Sequence, residues 1–210
     1  MNNLTIKYIG TIIPLFLFPT VIIKSSHYST TLHQNPSSKI TINIQPFSDI
    51  SKTESAYVLN NLKKIYPYVD LKKPIPLPSP AFYPKRNRYR ADSLIHFLDR
   101  MTLDRQITIG LTSKDISTTK GDIPDWGVMG LGFCPGKACV VSAFRLSKGQ
   151  MHEQLFKVAL HELGHTEGLP HCPVRTCFMR DAEGRNPINE EKEFCPKCKA
   201  LLVLKGWQFN

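Results

Sequence analysis

A chain of 210 residues, 41% hydrophobic and 21% charged, is long enough to bury one sizeable core and too apolar to remain disordered. Its net charge of +10 is spread over Lys72, Lys73, Lys85, Arg86, Arg88, Arg90 and later positions, which reads as a solvated basic surface. A nucleic-acid partner is not expected, because the densest basic run lacks the interleaved aromatics and glycines of an RNA or DNA module.

Lys7 precedes an apolar run, Tyr8 to Ile23, that Lys24, Ser25 and Ser26 close. The run contains Pro14 and Pro19 and is short for a spanning helix, so residues 1–26 read as a targeting segment, a signal peptide or an anchor. No small-x-small cleavage site stands out in it. Export or membrane anchoring is the expectation, with membrane contact through this segment; a cytoplasmic location is the alternative. Residues 27–38, rich in Ser, Thr and His, are a linker, and 39–210 form the folded domain.

In that domain Ile40, Ile42 and Ile44 alternate with polar neighbours, which predicts a half-buried strand over Lys39 to Gln45. Ser51 and Glu54 form a capping box ahead of Val58, Leu62 and Ile65, the start of an amphipathic helix. Tyr68 to Leu71 is a second strand, and Pro74, Pro76, Pro78 and Pro80 an extended connector. A second helix carries Ala91, Leu94, Ile95, Leu98 and Met101, followed by a strand through Ile107, Ile109 and Leu111. The alternation implies a βαβ-type sheet. Trp126 to Phe133 and Ala138 to Leu146 read as two strands around Pro135-Gly136, and Ser147 with Gln150 as a cap for the next helix, whose Leu155, Val158 and Ala159 face the sheet.

The densest chemistry begins on that helix. His161 and His165, four residues apart, share one face and can offer two nitrogens to a single metal ion. Glu162 lies about 100° round the helix, near enough to touch a water on the metal and turned from the metal itself, which suits a general base. Gly168 can take φ > 0, end the helix and bring His171 back as a third ligand. Three ligands leave a fourth tetrahedral position open, the arrangement of a catalytic zinc. Downstream, Cys172 with Cys177 and Cys195 with Cys198 are two thiolate pairs, the second read as a tight hairpin; together they suit a closed structural zinc site, or else two disulfides. Met179 is by spacing an ordinary core methionine. Cys134 and Cys139 are either buried free thiols or a disulfide across their hairpin. Ala200 to Leu204 reads as a short terminal helix.

These residues resemble the archaemetzincin family of metzincin zinc peptidases, whose motif H-E-x-x-H-x-x-G-x-x-H-C-x4-C-x-M with a distal C-x-x-C is met at His161, Glu162, His165, Gly168, His171, Cys172, Cys177, Met179, Cys195 and Cys198. The segment Met179 to Cys195 is slightly shorter than the family usually has. Outside the motif, Arg88 to Leu98, Ile107 to Asp115 and the Ser142 to Leu146 segment are similar to the family more loosely. The resemblance implies an α/β zincin-like metzincin fold: a mixed twisted sheet with an active-site helix in an upper part to about residue 168, and a small zinc-stabilised lower part, 169–210. It further implies a catalytic zinc on His161, His165 and His171, Glu162 as catalytic base, Met179 as the Met-turn under the metal, and a structural zinc on Cys172, Cys177, Cys195 and Cys198, two ions per chain. The expected function is hydrolysis of peptide bonds in a peptide or protein substrate by a metal-activated water, in a monomer. The alternatives are a zinc-stabilised binding module, for which Glu162 would have no chemical use, and a zinc hydrolase of another substrate class.

Overall fold

The computed structural model describes residues 39–209; the targeting segment and linker expected over 1–38 lie outside the described residues. The chain runs β1 (Thr41–Pro46), α1 (Lys52–Leu62), β2 (Val69–Leu71), β3 (Phe82–Tyr83), β4 (Arg88–Arg90), α2 (Ala91–Met101), β5 (Gln106–Thr112), β6 (Ile116–Lys120), β7 (Ile123–Val128), β8 (Gly130–Gly132), β9 (Ala138–Ser142), α3 (Met151–Thr166) and α4 (Pro196–Val203). The capping box forms as the sequence implies: Glu54 N donates to Ser51 Oγ at 3.1 Å and Ser51 N to Glu54 Oε2 at 2.8 Å, satisfying two N-terminal donors of α1 at once.

The main sheet has the order β2-β1-β5-β9-β8, parallel except for β8, which runs antiparallel to β9 at the edge. Strand periodicity decides which helix meets which side chain. Cys139 and Val141 join Ile42, Ile44, Ile107 and Ile109 in a core shared with α1 and α3, while Ala138 and Val140 pack with Leu94, Ile95 and Leu98 of α2 on the other face. Gly110 of β5 is required there, since a Cβ would sit 2.6 Å from Leu98 Cδ1. With both faces covered, β1 is buried throughout from Ile42 to Pro46, Asn43 and Gln45 included, rather than half-buried as its alternation suggested. Gln45 donates to the carbonyls of Pro46 and Lys73 and Asn43 Nδ2 to Gln106 Oε1, while Asn43 Oδ1 is left without a partner among the described residues.

Other expectations are corrected. Trp126 to Phe133 is not one strand: β7 pairs with β6 in a second sheet of order β3-β4-β6-β7, and after Met129 the chain crosses into the main sheet as β8. Strand β6 was missed because Ile116 is its one apolar residue. Arg88 to Arg90 forms β4, α2 begins at Ala91 as the sequence implies, and Met101 is exposed at the end of α2. Ser147 and Gln150 do not cap α3 with their side chains. Gln154 holds that turn instead, its Oε1 accepting from Ser147 N at 2.8 Å and its Nε2 donating to Ser147 Oγ at 3.3 Å. Cys195 and Cys198 lie on the first turn of α4, with Pro196 at N1, rather than on a hairpin. The terminal helix therefore starts earlier than Ala200, and only Leu202 of its last residues is buried. Beyond it Trp207, 2% exposed, packs on Tyr66 and donates from Nε1 to Glu167 Oε1 at 3.2 Å, pinning the C-terminal segment against the ends of α1 and α3. Leu169, Cys177, Met179, Ile188, Phe194 and Trp207 belong to the same core as β1 and β5.

Candidate active site

Helix α3 buries Leu155, Val158, Ala159, Leu160 and Leu163 against the sheet, which fixes His161 and His165 one turn apart beside the edge strand. Their Nε2 atoms are 3.0 Å apart. Each Nδ1 meets a backbone carbonyl, Phe178 O at 2.7 Å for His161 and Leu169 O at 2.8 Å for His165. A carbonyl only accepts, so Nδ1 carries the proton and both Nε2 lone pairs point into the same space. Burial pulls His161 down to about 3, helped by the neighbouring histidines, and burial also lowers His165, so the rings are held neutral.

Gly168 adopts φ +94, and the helix closes with Gly168 N donating to His165 O at 2.8 Å and Leu169 N to Gly164 O at 2.9 Å. This six-to-one bond turns the chain back over the helix end. The His171 ring arrives 4.9 Å from that of His165 and 5.3 Å from that of His161, centre to centre, and its Nδ1 faces Asp181 Oδ2 at 3.4 Å. One nitrogen of each ring lies within 4.8 Å of the other two. Two facing lone pairs at 3.0 Å repel unless a cation sits between them. Tetrahedral nitrogens ~2.0–2.1 Å from zinc would be roughly 3.3 Å apart, so the donor set fits the ion the sequence implies. Met179 is fully buried against α3, where a Cβ on Gly164 would land on its sulfur. The small residue at Gly164 is thus what lets the Met179 sulfur come close to the α3 backbone; sequence reasoning assigned Gly164 no role.

Glu162, 6% exposed, extends toward β8. Burial pushes its carboxyl up to about 8, within reach of proton exchange near neutrality. A Cβ on Gly130 would sit 2.5 Å from Glu162 Oε1, and one on Gly132 would sit 2.8 Å from Glu162 O. Gly127, close by on β7, leaves room for the Arg145 guanidinium, which binds Asp115 through Nε–Oδ1 at 2.8 Å and Nη2–Oδ2 at 2.9 Å. Asp115 also pairs with Arg88 at 2.6 Å, and Arg88 with Asp125 at 3.0 Å, tying the second sheet to the cleft wall. The signal for these glycines was available: three of six residues from 127 to 132 are glycine, too many for strands that need side chains to pack unless another group comes close.

Cys172, Cys177, Cys195 and Cys198 are free, with their sulfurs within 4.8 Å of one another. Cys172 Sγ and Cys195 Sγ are 3.7 Å apart, close to the roughly 3.8 Å edge of a tetrahedral zinc–thiolate site with ~2.3 Å bonds. Cys195 N donates to Cys177 Sγ at 3.3 Å. Burial raises Cys195, yet hydrogen bonds from Cys198, Cys172 and Cys177 outweigh it and bring that thiol down to about 7. Cys134 and Cys139 are also free: Cys139 is buried in the sheet, whereas Cys134 is exposed and donates to Leu169 O at 3.4 Å. A cleft of about 850 Å³ runs past the histidines and Glu162, lined also by Trp126, Met129, Leu131, Arg180, Asp181 and Asn186.

The family model of peptidase family M54 matches residues 52–203. The chain belongs to peptidase family M54. The archaemetzincin of Archaeoglobus fulgidus is 32% identical over 166 residues, covering 77% of this chain and 98% of its own. The archaemetzincin of Methanopyrus kandleri is 35% identical over 135 residues, 62% of this chain and 75% of that one. The crystal structure of the Methanopyrus kandleri protein superposes with a TM-score of 0.68 at 29% identity over 81% of this chain and 97% of that chain. The malonate complex of the Archaeoglobus fulgidus protein gives 0.66 at 28% identity over 77% and 99%. As an M54 peptidase, the protein is a zinc-dependent metallopeptidase with the mixed α/β fold of the archaemetzincins.

Proposed function

We propose that the peptide-bond hydrolysis of this M54 peptidase is carried out by Glu162 beside a zinc ion on His161, His165 and His171, with a second zinc ion on Cys172, Cys177, Cys195 and Cys198. The observation that carries the reading is the meeting, on one cleft, of two proton-free Nε2 atoms 3.0 Å apart and a buried carboxylate on the adjacent residue. Bound at the histidines, zinc supplies Lewis acidity toward the scissile carbonyl and the attacking water. Glu162 takes the proton from that water at its carboxylate and delivers it to the leaving amine. Burial, which raises this carboxyl, favours its holding the proton between the two transfers. The outer edge of β8 lines the cleft with unpaired backbone groups, and a peptide laid there as an added strand brings a carbonyl to the histidines. Met179 supports the histidine cluster from below. The four thiolates act in folding, cross-linking a C-terminal segment whose apolar residues join the main core rather than making their own.

One chain supplies every group this mechanism uses, which supports a monomer. Residues 1–26 direct the protein across or onto a membrane, and fractionation that finds the full chain, Met1 included, confined to the soluble cytoplasm would overturn that assignment. Digestion of an unbiased peptide library by the zinc-loaded protein, with and without a chelator, tests the chemistry: chelator-sensitive cleavage is expected, and cleavage that survives complete removal of the metal would contradict it. Elemental analysis is expected to give two zinc ions per chain. One zinc, with the four cysteines found as disulfides, would remove the second site.

A further inference from the structure

Several of the charges along the cleft are matched. Arg145 is held by both oxygens of Asp115, Arg180 Nη1 donates to Glu190 Oε2 at 2.8 Å, Asp181 faces His171, and Lys120 lies 5.1 Å over the Trp126 ring. Glu183 and Arg185, both exposed, have no side-chain partner among the described residues, and apart from Glu162 the buried carboxylate in the same position is Glu191. It lines the cleft at 4% exposure, and its carboxylate makes no hydrogen bond or ion pair among the described residues. The nearby cations are committed elsewhere. Lys157 Nζ pairs with Glu153 Oε1 at 2.8 Å and donates to the carbonyls of Glu191 and Ile188 at 2.8 and 3.2 Å. Lys157 thus fixes the backbone of this turn and acts on the carboxylate only through its charge, with no hydrogen bond or ion pair to it.

The Glu191 oxygens stay open to the cleft, and a carboxylate so little exposed and without a partner among the described residues gains from a cation that arrives there. Val158 and Ile188, 6% and 3% exposed, line the same cleft and offer an apolar sleeve. A methylene stem with a charged head matches that combination. We propose that Glu191 is a specificity-determining residue that receives the side chain of a lysine or arginine at one fixed position of the peptide substrate. Burial raises its own carboxyl to about 7, the influence of Lys157 and Arg180 notwithstanding, and an incoming cation favours the charged form. The inference rests on the peptidase reading for its substrate class, and on the placement of Glu191, Val158 and Ile188 for the side chain.

The test uses the zinc-loaded full chain and matched peptides that differ at one position, lysine against the uncharged isostere norleucine, scanned across the cleavage site. A hydrogen-bonded charge pair of this kind discriminates by about ten- to a hundred-fold. Wild type is expected to show that ratio of kcat/KM at a single position. Glu191→Gln should bring the ratio to about one, Glu191→Asp should keep its sign, and Glu191→Lys should invert it toward a glutamate peptide. Because each ratio is internal, a general loss of stability cancels. Retention of the same peptides on zinc-loaded Glu162→Gln protein, with and without Glu191→Gln, reads the preference without turnover. Preferential lysine retention lost with Glu191→Gln, in a protein that cleaves nothing, would uphold the role of Glu191 while the hydrolytic reading fails. Cleavage with no basic preference, or a preference that Glu191→Gln leaves intact, overturns the role of Glu191 alone.

Discussion

Gly130→Ala separates the position of Glu162 from everything else the fold does. The new Cβ would lie 2.5 Å from Glu162 Oε1, 2.6 Å from Cγ and 2.8 Å from Cδ, all inside contact distance. Gly130 is not among the residues with positive φ, so alanine suits its backbone and removes some unfolded-state freedom, a gain of roughly 0.5–1 kcal/mol. The atoms in the way belong to the outer part of a flexible side chain, which can swing aside and leave the fold intact. That movement displaces the carboxylate that the chemistry needs. A misplacement of about 1 Å costs on the order of 10²-fold in rate, and loss of the base altogether about 10²- to 10⁴-fold. Purified Gly130→Ala should therefore bind zinc as wild type does and melt within a few degrees of it, while kcat/KM on a cleaved peptide falls at least about 10²-fold. Gly149→Ala, whose Cβ would meet nothing within 4 Å, is the control and should leave the rate unchanged. Full activity in Gly130→Ala with unaltered zinc content would refute the placement of Glu162 against β8 as the working arrangement.

Gly132→Ala pushes on Glu162 O at 2.8 Å, a backbone atom of α3 that cannot swing away, so it should lower stability by about 1–3 kcal/mol in denaturant titration, in contrast to Gly130→Ala. Cys195→Ala should lose one zinc ion and the ordered C-terminal segment, seen as rapid proteolysis between Cys172 and Trp207, whereas His165→Ala should lose one zinc ion and stay protease-resistant. Burial raises Glu191 from an ordinary carboxyl to about 7, so the folded state binds its proton more tightly. Its favourable contribution is complete below about pH 4.5 and is lost as pH rises through 7. The denaturation midpoint of Glu191→Gln should hence decline less between pH 5 and 8 than that of wild type; parallel declines would contradict this.

The histidine site was legible because its geometry is local. Helical period brings His161 and His165 together, and a glycine three residues later has few uses other than the φ +94 turn that returns His171. Four cysteines in two close pairs announce a cluster for the same reason, although sequence did not reveal that Cys195 opens a helix. What could not be read depends on long-range crossings. Nothing local tells that the chain leaves one sheet at Met129 and enters another, and with the crossing hidden, the approach of Gly130 and Gly132 to Glu162 stays hidden too. The same holds for Glu191: beside Glu190 it looks like surface charge, and only the packing of 188–191 against Lys157 turns one of the two inward. The half-buried reading of β1 failed because Asn43 and Gln45 find partners in Gln106 and the 73 carbonyl, far along the chain.

The central claim is that Glu162 performs chemistry rather than holding metal or fold, and single-turnover cleavage of one peptide by zinc-loaded Glu162→Gln beside wild type tests it most directly. Glutamine keeps the shape and removes the base, so the account predicts equal zinc content, an unchanged melting temperature or a slightly higher one, and a rate lower by about 10²- to 10⁴-fold. Cleavage at the wild-type rate by a Glu162→Gln protein carrying its full zinc would contradict the mechanism.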